Sequence, residues 1–132
     1  MLNQAYKAYQ QSSVQTSPAQ LVIMLYDGAI RFTKAGIDGI HSRQYEMANT
    51  NLQKAQSVVH ELIASLNFDF EISKSLISVY EYMLHQLIEA NIRKKTEPAE
   101  DVLHHLQELR DAWKQVIKMN SQQTAVKRDQ LV

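Results

Sequence analysis

Two pairs of an aspartate and a histidine three residues later are the side chains that most resemble a catalytic or metal-binding site. The pairs are Asp38 with His41 and Asp101 with His104. Residues three apart share one face of a helix, so each pair could offer a carboxylate and an imidazole to a zinc ion. In an up-down bundle the two pairs would lie at the same end. Both pairs fall at predicted helix ends on polar faces, however, and we expect no metal site.

Other catalytic chemistry finds little support. A di-iron bundle needs Glu-x-x-His motifs, and none of the glutamates is followed by histidine at the third position. The chain has no cysteine, which excludes disulfides and Cys-ligated metals. Gly28, Gly36 and Gly39 lie inside a helical pattern, where close approach of another helix explains them better than a phosphate-binding loop. We expect neither enzymatic activity nor a cofactor.

Composition also limits the partners and the compartment. The net charge is zero and the pI is about 7.0, so the chain lacks the basic face of a nucleic-acid binder. No window approaches the charge-free apolar length of a membrane span, and the first residues contain no apolar signal-peptide run. We expect a cytoplasmic protein that binds no nucleic acid and does not insert into a membrane.

Residues 16 to 32 predict where the first helix starts and show that its apolar surface is unusually wide. Ser17 is a suitable N-cap, Pro18 suits the first helical position, and Gln20 stands where a capping box requires Glu or Gln. After this start, apolar residues recur on two stripes, one through Leu21 and Leu25 and the other through the residues Ile23, Tyr26, Ile30 and Ile37. The water-facing side of this helix is therefore narrow.

Apolar periodicity predicts four helices and an all-α fold. The helices run from about Pro18 to Ile40, Tyr45 to Leu66, Glu71 to Lys94, and Glu97 to Met119. Their connections are short, which predicts an antiparallel up-down four-helix bundle over residues 16–119. Residues 1–15 form a separate N-terminal segment in this interpretation, and residues 120–132 a flexible C-terminal tail. The predicted seams of helices 2 and 4 are Ala48, Leu52, Ala55, Val59, Leu62 and Leu66, and Val102, Leu106, Leu109, Trp113 and Val116.

Helices 1 and 3 have wider apolar arcs than a bundle member needs, whereas helices 2 and 4 do not. An apolar surface rimmed by polar groups is typical of a partner site. We therefore expect a partner to bind across the excess arcs, chiefly at Ile23, Tyr26, Ile30, Tyr80, Leu84 and Ile88. Tyr6 and Tyr9 would share one face of a helical turn, and we expect them to form a displaceable cover for helix 1. Whether that cover is in place in the free protein stays open.

Several short motifs, in order along the chain, resemble those of the flagellar secretion chaperone family, FliS. They are Tyr6-x-x-Tyr9 with Val14, Thr16-Ser17-Pro18, Leu25-Tyr26-Asp27-Gly28-Ala29, Asn51–Gln56, Tyr80–Met83, Leu87–Asn91 and Asp111–Gln115. The resemblance covers about residues 5 to 118. It departs from the family at the Gly36/Gly39 pair and in the aromatic character of residues 68–70.

The resemblance implies a cytosolic chaperone for flagellin, with a four-helix fold. Such a protein binds the disordered C-terminal segment of flagellin, prevents premature polymerisation and delivers the subunit to the flagellar type III export apparatus. The Tyr6/Tyr9 segment would also contact the export gate. On physical grounds alone, a second hypothesis stays open: a structural bundle adaptor that buries its extra apolar arcs by forming homo-oligomers. A monomer or weak dimer is expected for the chaperone and a tight oligomer for the adaptor.

Overall fold

A computed structural model describes residues 17–131 of the chain, with side chains for residues 17–121. Four helices follow one another: α1 (Pro18–His41), α2 (Tyr45–Ala64), α3 (Ile72–Arg93) and α4 (Glu97–Leu131). The predicted all-α, four-helix class is confirmed. None of these helices has the length and apolar character needed to cross a membrane. The predicted N-terminal segment, residues 1–15, lies outside the described residues.

The helix ends match the predicted ends closely, with one exception. The predicted capping box is present: Ser17 Oγ accepts from the Gln20 backbone N–H at 3.2 Å, and Gln20 Oε1 accepts from the Ser17 N–H at 3.3 Å. The predicted end of helix 4 near Met119 is wrong, since α4 continues to Leu131. Residues 120–131 contain neither glycine nor proline, so nothing in that stretch breaks a helix.

Each helix packs on two neighbours, and the diagonal pairs α1–α3 and α2–α4 are not extensively packed. Contacts along each pair run in opposite directions. Asp27 of α1 lies beside Arg110 of α4, for example, and His41 beside Glu100. Asn49 near the start of α2 likewise bonds Asn91 near the end of α3. The core occupies the space between the four helices, where most buried apolar side chains form one cluster.

Close approach of α1 and α2 explains two of the three glycines. A Cβ atom on Gly36 would lie 2.6 Å from Leu52 Cδ2, and one on Gly39 would lie 2.7 Å from the Ala48 backbone nitrogen. Gly28 does not fit this explanation, because a Cβ there would meet nothing within 4 Å. The helices therefore touch most closely near the α1–α2 connection, where the glycines allow backbone contact.

The predicted seam of α2 is buried apart from the half-buried Leu66, whereas the seam of α4 fades along the helix. Val102 and Leu106 are buried, Leu109 and Trp113 are half-buried, and Val116 is 46% exposed. The prediction that Val116 belongs to the core is wrong. Asp101 of α4 bonds Tyr82 of α3, ten residues after α3 begins at Ile72. Val116 is fifteen residues beyond Asp101, so at its level α4 has passed the start of α3.

Candidate functional site

The eight residues predicted to bind a partner fall into three groups. Tyr6 and Tyr9 lie outside the described residues. Tyr26, Ile30 and Tyr80 are in the core, and Tyr26 has no exposed surface at all. Ile23 and Leu84 are half-buried, and Ile88 is 42% exposed. The structure therefore leaves only Ile23, Leu84 and Ile88 of the described six at the surface.

The expectation that Tyr26, Ile30 and Tyr80 form spare surface needs correction. That expectation treated all apolar surface beyond the width of an ordinary bundle member as free for a partner. In the bundle α1 must cover α2 on one side, α4 on the other and the central axis between them, and α3 does the same. Packing against two neighbours buries most of a wide apolar arc, so these three side chains fill the core.

A hydrogen-bonded aromatic cluster occupies the centre of the bundle. The hydroxyls of Tyr26 and Tyr80 share a hydrogen bond across the diagonal between α1 and α3. Trp113 of α4 donates from Nε1 to Tyr26 Oη at 3.2 Å. Burial raises the pKa of both tyrosines above the usual range, so the hydroxyls stay neutral at physiological pH. The cluster joins three helices and satisfies buried polar atoms, which indicates a structural role.

An apolar stripe lies on the outer side of α3, and we call it the α3 outer stripe. It consists of Ile77, Leu84, Ile88 and Ile92, which are spaced to lie on one side of the helix. Tyr82 and Gln86, which meet α4, project from another side. Asn91, in nearly the same direction as Leu84, bonds Asn49 of α2. The stripe thus lies beside α2, away from α4.

Exposure increases along the α3 outer stripe. Ile77 and Leu84 are half-buried, while Ile88 is 42% and Ile92 is 74% exposed. Sequence reasoning missed Ile92, although its spacing of four residues from Ile88 was a sufficient signal. Apolar side chains with this much exposure at helical spacing can bind the apolar face of an amphipathic segment.

A second exposed apolar group lies near the opposite end of the bundle. It comprises Phe68, Phe70 and Ile72 around the α2–α3 connection, with Val116 and Met119 on α4. None of these was predicted as a binding residue. The unusual aromatic character of residues 68–70 was the available signal.

Three of the four residues considered for a zinc site, His41, Asp101 and His104, pair with other side chains instead. His41 Nε2 lies 4.0 Å from Glu100 Oε1, which places the end of α1 beside the start of α4 as expected. His104 Nε2 lies 3.0 Å from Glu108 Oε1, and Asp101 Oδ1 lies 3.3 Å from His105 Nε2. Within the described side chains, no group of three or more potential ligands is placed to hold a metal ion.

Asp101 instead joins the exposed surfaces of α3 and α4. Tyr82 Oη donates to Asp101 Oδ2 at 2.5 Å, and Gln86 Nε2 donates to the same oxygen at 3.3 Å. The hydrogen bond from Tyr82 is the main cause that lowers the pKa of Asp101. The same bond raises the pKa of Tyr82. This arrangement joins the two helices at their exposed surfaces.

Comparison with known proteins finds a family model and several relatives that match the chain. The family model described as "Flagellar protein FliS" matches residues 1–120. A flagellar secretion chaperone FliS of Bacillus subtilis (strain 168) is 40% identical over 114 residues, which is 86% of this chain and 86% of that protein. Proteins of the same name are 32% identical over 118 residues in Salmonella typhimurium (83% of this chain, 87% of that protein) and 29% identical over 117 residues in Escherichia coli K12 (83% and 86%).

Proposed function

The chain belongs to the FliS family of flagellar proteins, and we propose that it is a cytoplasmic export chaperone that binds the C-terminal segment of flagellin. Bound there, it prevents premature polymerisation and delivers the subunit to the flagellar type III export apparatus. The family match and the names of the relatives support the chaperone role. The proposed role is binding rather than catalysis.

The observation that carries the flagellin site is the exposed part of the α3 outer stripe. Leu84, Ile88 and Ile92 follow one another at four-residue spacing, outside a core that is already filled. A disordered amphipathic segment can fold on such a stripe by laying its own apolar face against it. Folding on binding costs part of the interaction energy, which keeps the complex releasable before export.

Ile23 is proposed as a second, smaller contact on α1. It is half-buried and lies on α1, diagonally opposite α3. A single rigid helix cannot reach both places, whereas a disordered chain that folds in pieces can wrap around the bundle. Tyr26, Ile30 and Tyr80 then support the site from within and do not touch the partner.

Tyr6 and Tyr9 retain their proposed part as a displaceable cover that also contacts the export gate. If they are a cover, deletion of residues 1–15 leaves the four helices folded, because their seams do not need these residues. The deletion should preserve the far-UV circular dichroism and a cooperative melt. Loss of cooperative unfolding would place the segment in the core.

The central test is a titration of a labelled flagellin C-terminal peptide into the purified chain and its Ile88→Asp variant. We expect the affinity of Ile88→Asp to fall by more than about fivefold, the loss of an interface anchor worth more than about 1 kcal/mol. Ser75→Asp, an exposed position on another side of α3, adds the same charge and should bind normally. Equal affinities for the two variants would remove the α3 outer stripe from the site.

Gel filtration of the same proteins tests the adaptor hypothesis. The chaperone should elute as a monomer or weak dimer. A tight oligomer that Ile88→Asp dissociates, without any affinity for the flagellin peptide, would favour the homo-oligomeric adaptor.

A further inference from the structure

An open cavity of about 780 Å³ lies where the α1–α2 and α3–α4 connections meet. This end of the bundle is opposite Ser17, where α1 begins. Four arginine or lysine side chains line the cavity, against two carboxylates, Glu89 and Glu97. The cations are Arg43, Arg93, Lys94 and Lys95. In a chain of zero net charge, this local excess of two positive charges is a distinct feature.

Half of these cations are unpaired within the described part of the chain. Arg93 Nε lies 2.8 Å from Glu89 Oε2, and Lys94 Nζ donates to Asn91 Oδ1. The side chains of Arg43 and Lys95 form no ion pair or hydrogen bond there. An incoming carboxylate would therefore meet two cations without displacing a protein group.

The backbone conformation of the two connections is a second, independent indication that the cations are there for binding. Arg43 has φ 57° and Lys94 has φ 52°, and both therefore adopt the left-handed conformation that favours glycine. Stability alone would place glycine after a helix in this conformation. A cation after a helix also complements the helix dipole, so that structural explanation must be separated from binding by experiment.

The remaining lining residues narrow the class of ligand. Glu89 and Glu97 stand among the cations and leave an excess of only two positive charges, which matches a ligand with a few carboxylates better than a polyanion such as a nucleic acid. Tyr45 is 47% exposed, and Ile40 and Pro98 also line the cavity. Cations beside an exposed aromatic ring suit a peptide in which carboxylates alternate with apolar side chains.

We propose that this cavity docks an acidic segment of a partner protein, with its carboxylates on Arg43 and Lys95 and an adjoining apolar side chain against Tyr45. The site lies outside the set of residues proposed to bind flagellin, and its test uses no flagellin.

The test measures binding of a short fluorescein-labelled peptide that repeats Glu-Glu-Leu, by fluorescence polarisation at low salt. A peptide with Gln in place of every Glu is the control ligand. The variant Arg43→Gly/Lys95→Gln removes the two cations proposed to hold the carboxylates. Glycine is the preferred residue at the left-handed position 43 and Lys95 is exposed, so the melting temperature of the variant should stay the same or rise. Its affinity for the acidic peptide should fall about tenfold, since each exposed charge pair contributes about two- to fivefold.

Two further variants complete the design. Glu97→Gln removes a carboxylate from the cavity and should tighten binding about twofold, a gain that misfolding cannot produce. Lys34→Gln and Lys118→Gln remove the same charge at exposed positions outside the cavity lining and should leave the affinity unchanged.

Three results would overturn the proposal. The first is equal binding of the acidic and Gln peptides. The second is undiminished affinity of Arg43→Gly/Lys95→Gln, in which case the cations serve only the helix dipoles. The third is displacement of the peptide by inorganic phosphate or by polyadenylate RNA at equal charge concentration, which would make the cavity a general anion site.

Discussion

The inner and outer faces of α3 carry similar apolar side chains, and their surroundings differ completely. On the inner face, Tyr80, Met83 and Leu87 are buried among the other helices. On the outer face, Ile88 and Ile92 remain exposed beside α2. Leu87 and Ile88 are adjacent in sequence, yet Leu87 packs in the core and Ile88 is exposed to water.

A wide apolar arc on a helix is therefore not the same as apolar surface left free for a partner. A helix in a four-helix bundle covers two neighbours and the central axis, so a half-circle of apolar residues can be fully used. What remains for a partner is the part of the arc beyond the second neighbour. On α3 that part begins at Leu84 and increases toward Ile92.

The largest expected effect separates the two faces directly. Ile30→Asp places a charge in the core, and the free energy of unfolding should fall by about 4 kcal/mol or more. Because the total free energy of unfolding of a domain is about 5–15 kcal/mol, this loss is a large fraction of it. Ile88→Asp should change the same quantity by less than about 0.5 kcal/mol. Urea melts measure both losses of stability, and equal losses would contradict the assignment of Ile30 to the core and Ile88 to the surface.

Trp113 is intermediate between the buried Ile30 and the exposed Ile88, because it is half-buried and packs against the core. Trp113→Ala should lower the free energy of unfolding by about 2–3 kcal/mol, less than for a fully buried tryptophan. Trp113→Phe keeps most of the packing and removes only the Nε1–H donor to Tyr26, at a cost of about 1 kcal/mol. Guanidinium melts measure both. A Trp113→Ala variant of normal stability that no longer binds flagellin would make this residue a partner anchor instead.

Gly39 lies against α2, whereas Gly28 faces open space, so the same substitution should have opposite effects at the two positions. Gly39→Ala sets a methyl group against the Ala48 backbone, 2.7 Å from its nitrogen. The helices must then separate, and a net loss of about 1–2 kcal/mol is expected after the gain in helix propensity. Gly28→Ala fills open space and should add up to about 1 kcal/mol. Thermal melts that move in the same direction for both would contradict the close approach of α1 and α2.

The smallest effect concerns pH at the outer contact of α3 with α4. The hydrogen bond from Tyr82 lowers the pKa of Asp101 from its ordinary value of 3.8. A carboxylate with a lowered pKa in the folded chain adds stability above its unfolded pKa, and this stability is lost as the pH falls through the folded value. In Tyr82→Phe the pKa of Asp101 should return upward, and acid unfolding should depend less on this group. NMR titration of the Asp101 carboxyl carbon measures this change in pKa. Identical titration midpoints in the unsubstituted chain and in Tyr82→Phe would show that the hydrogen bond from Tyr82 does not lower the pKa of Asp101.

Local sequence signals predicted most of the helix architecture. Ser17, Pro18 and Gln20 located the start of α1 because a capping box is formed within four residues. The end of α4 was missed because residues 120–131 are polar but contain no helix breaker. Val116 was misplaced for a different reason: its spacing is right for a seam, but α3 does not extend far enough to cover it.

Short-range periodicity, helix caps and motifs in order along the chain were enough to predict the number and order of the helices, the start of the first one and the family. Which apolar residues stay at the surface depends on how the helices pack together. Tyr26 and Tyr80 are 54 residues apart and meet only because antiparallel packing brings them to one level of the bundle axis. Ile88 and Ile92 stay exposed because neither α2 nor α4 covers that side of α3. Burial is a property of the neighbours that a residue acquires, and its own helix does not specify them.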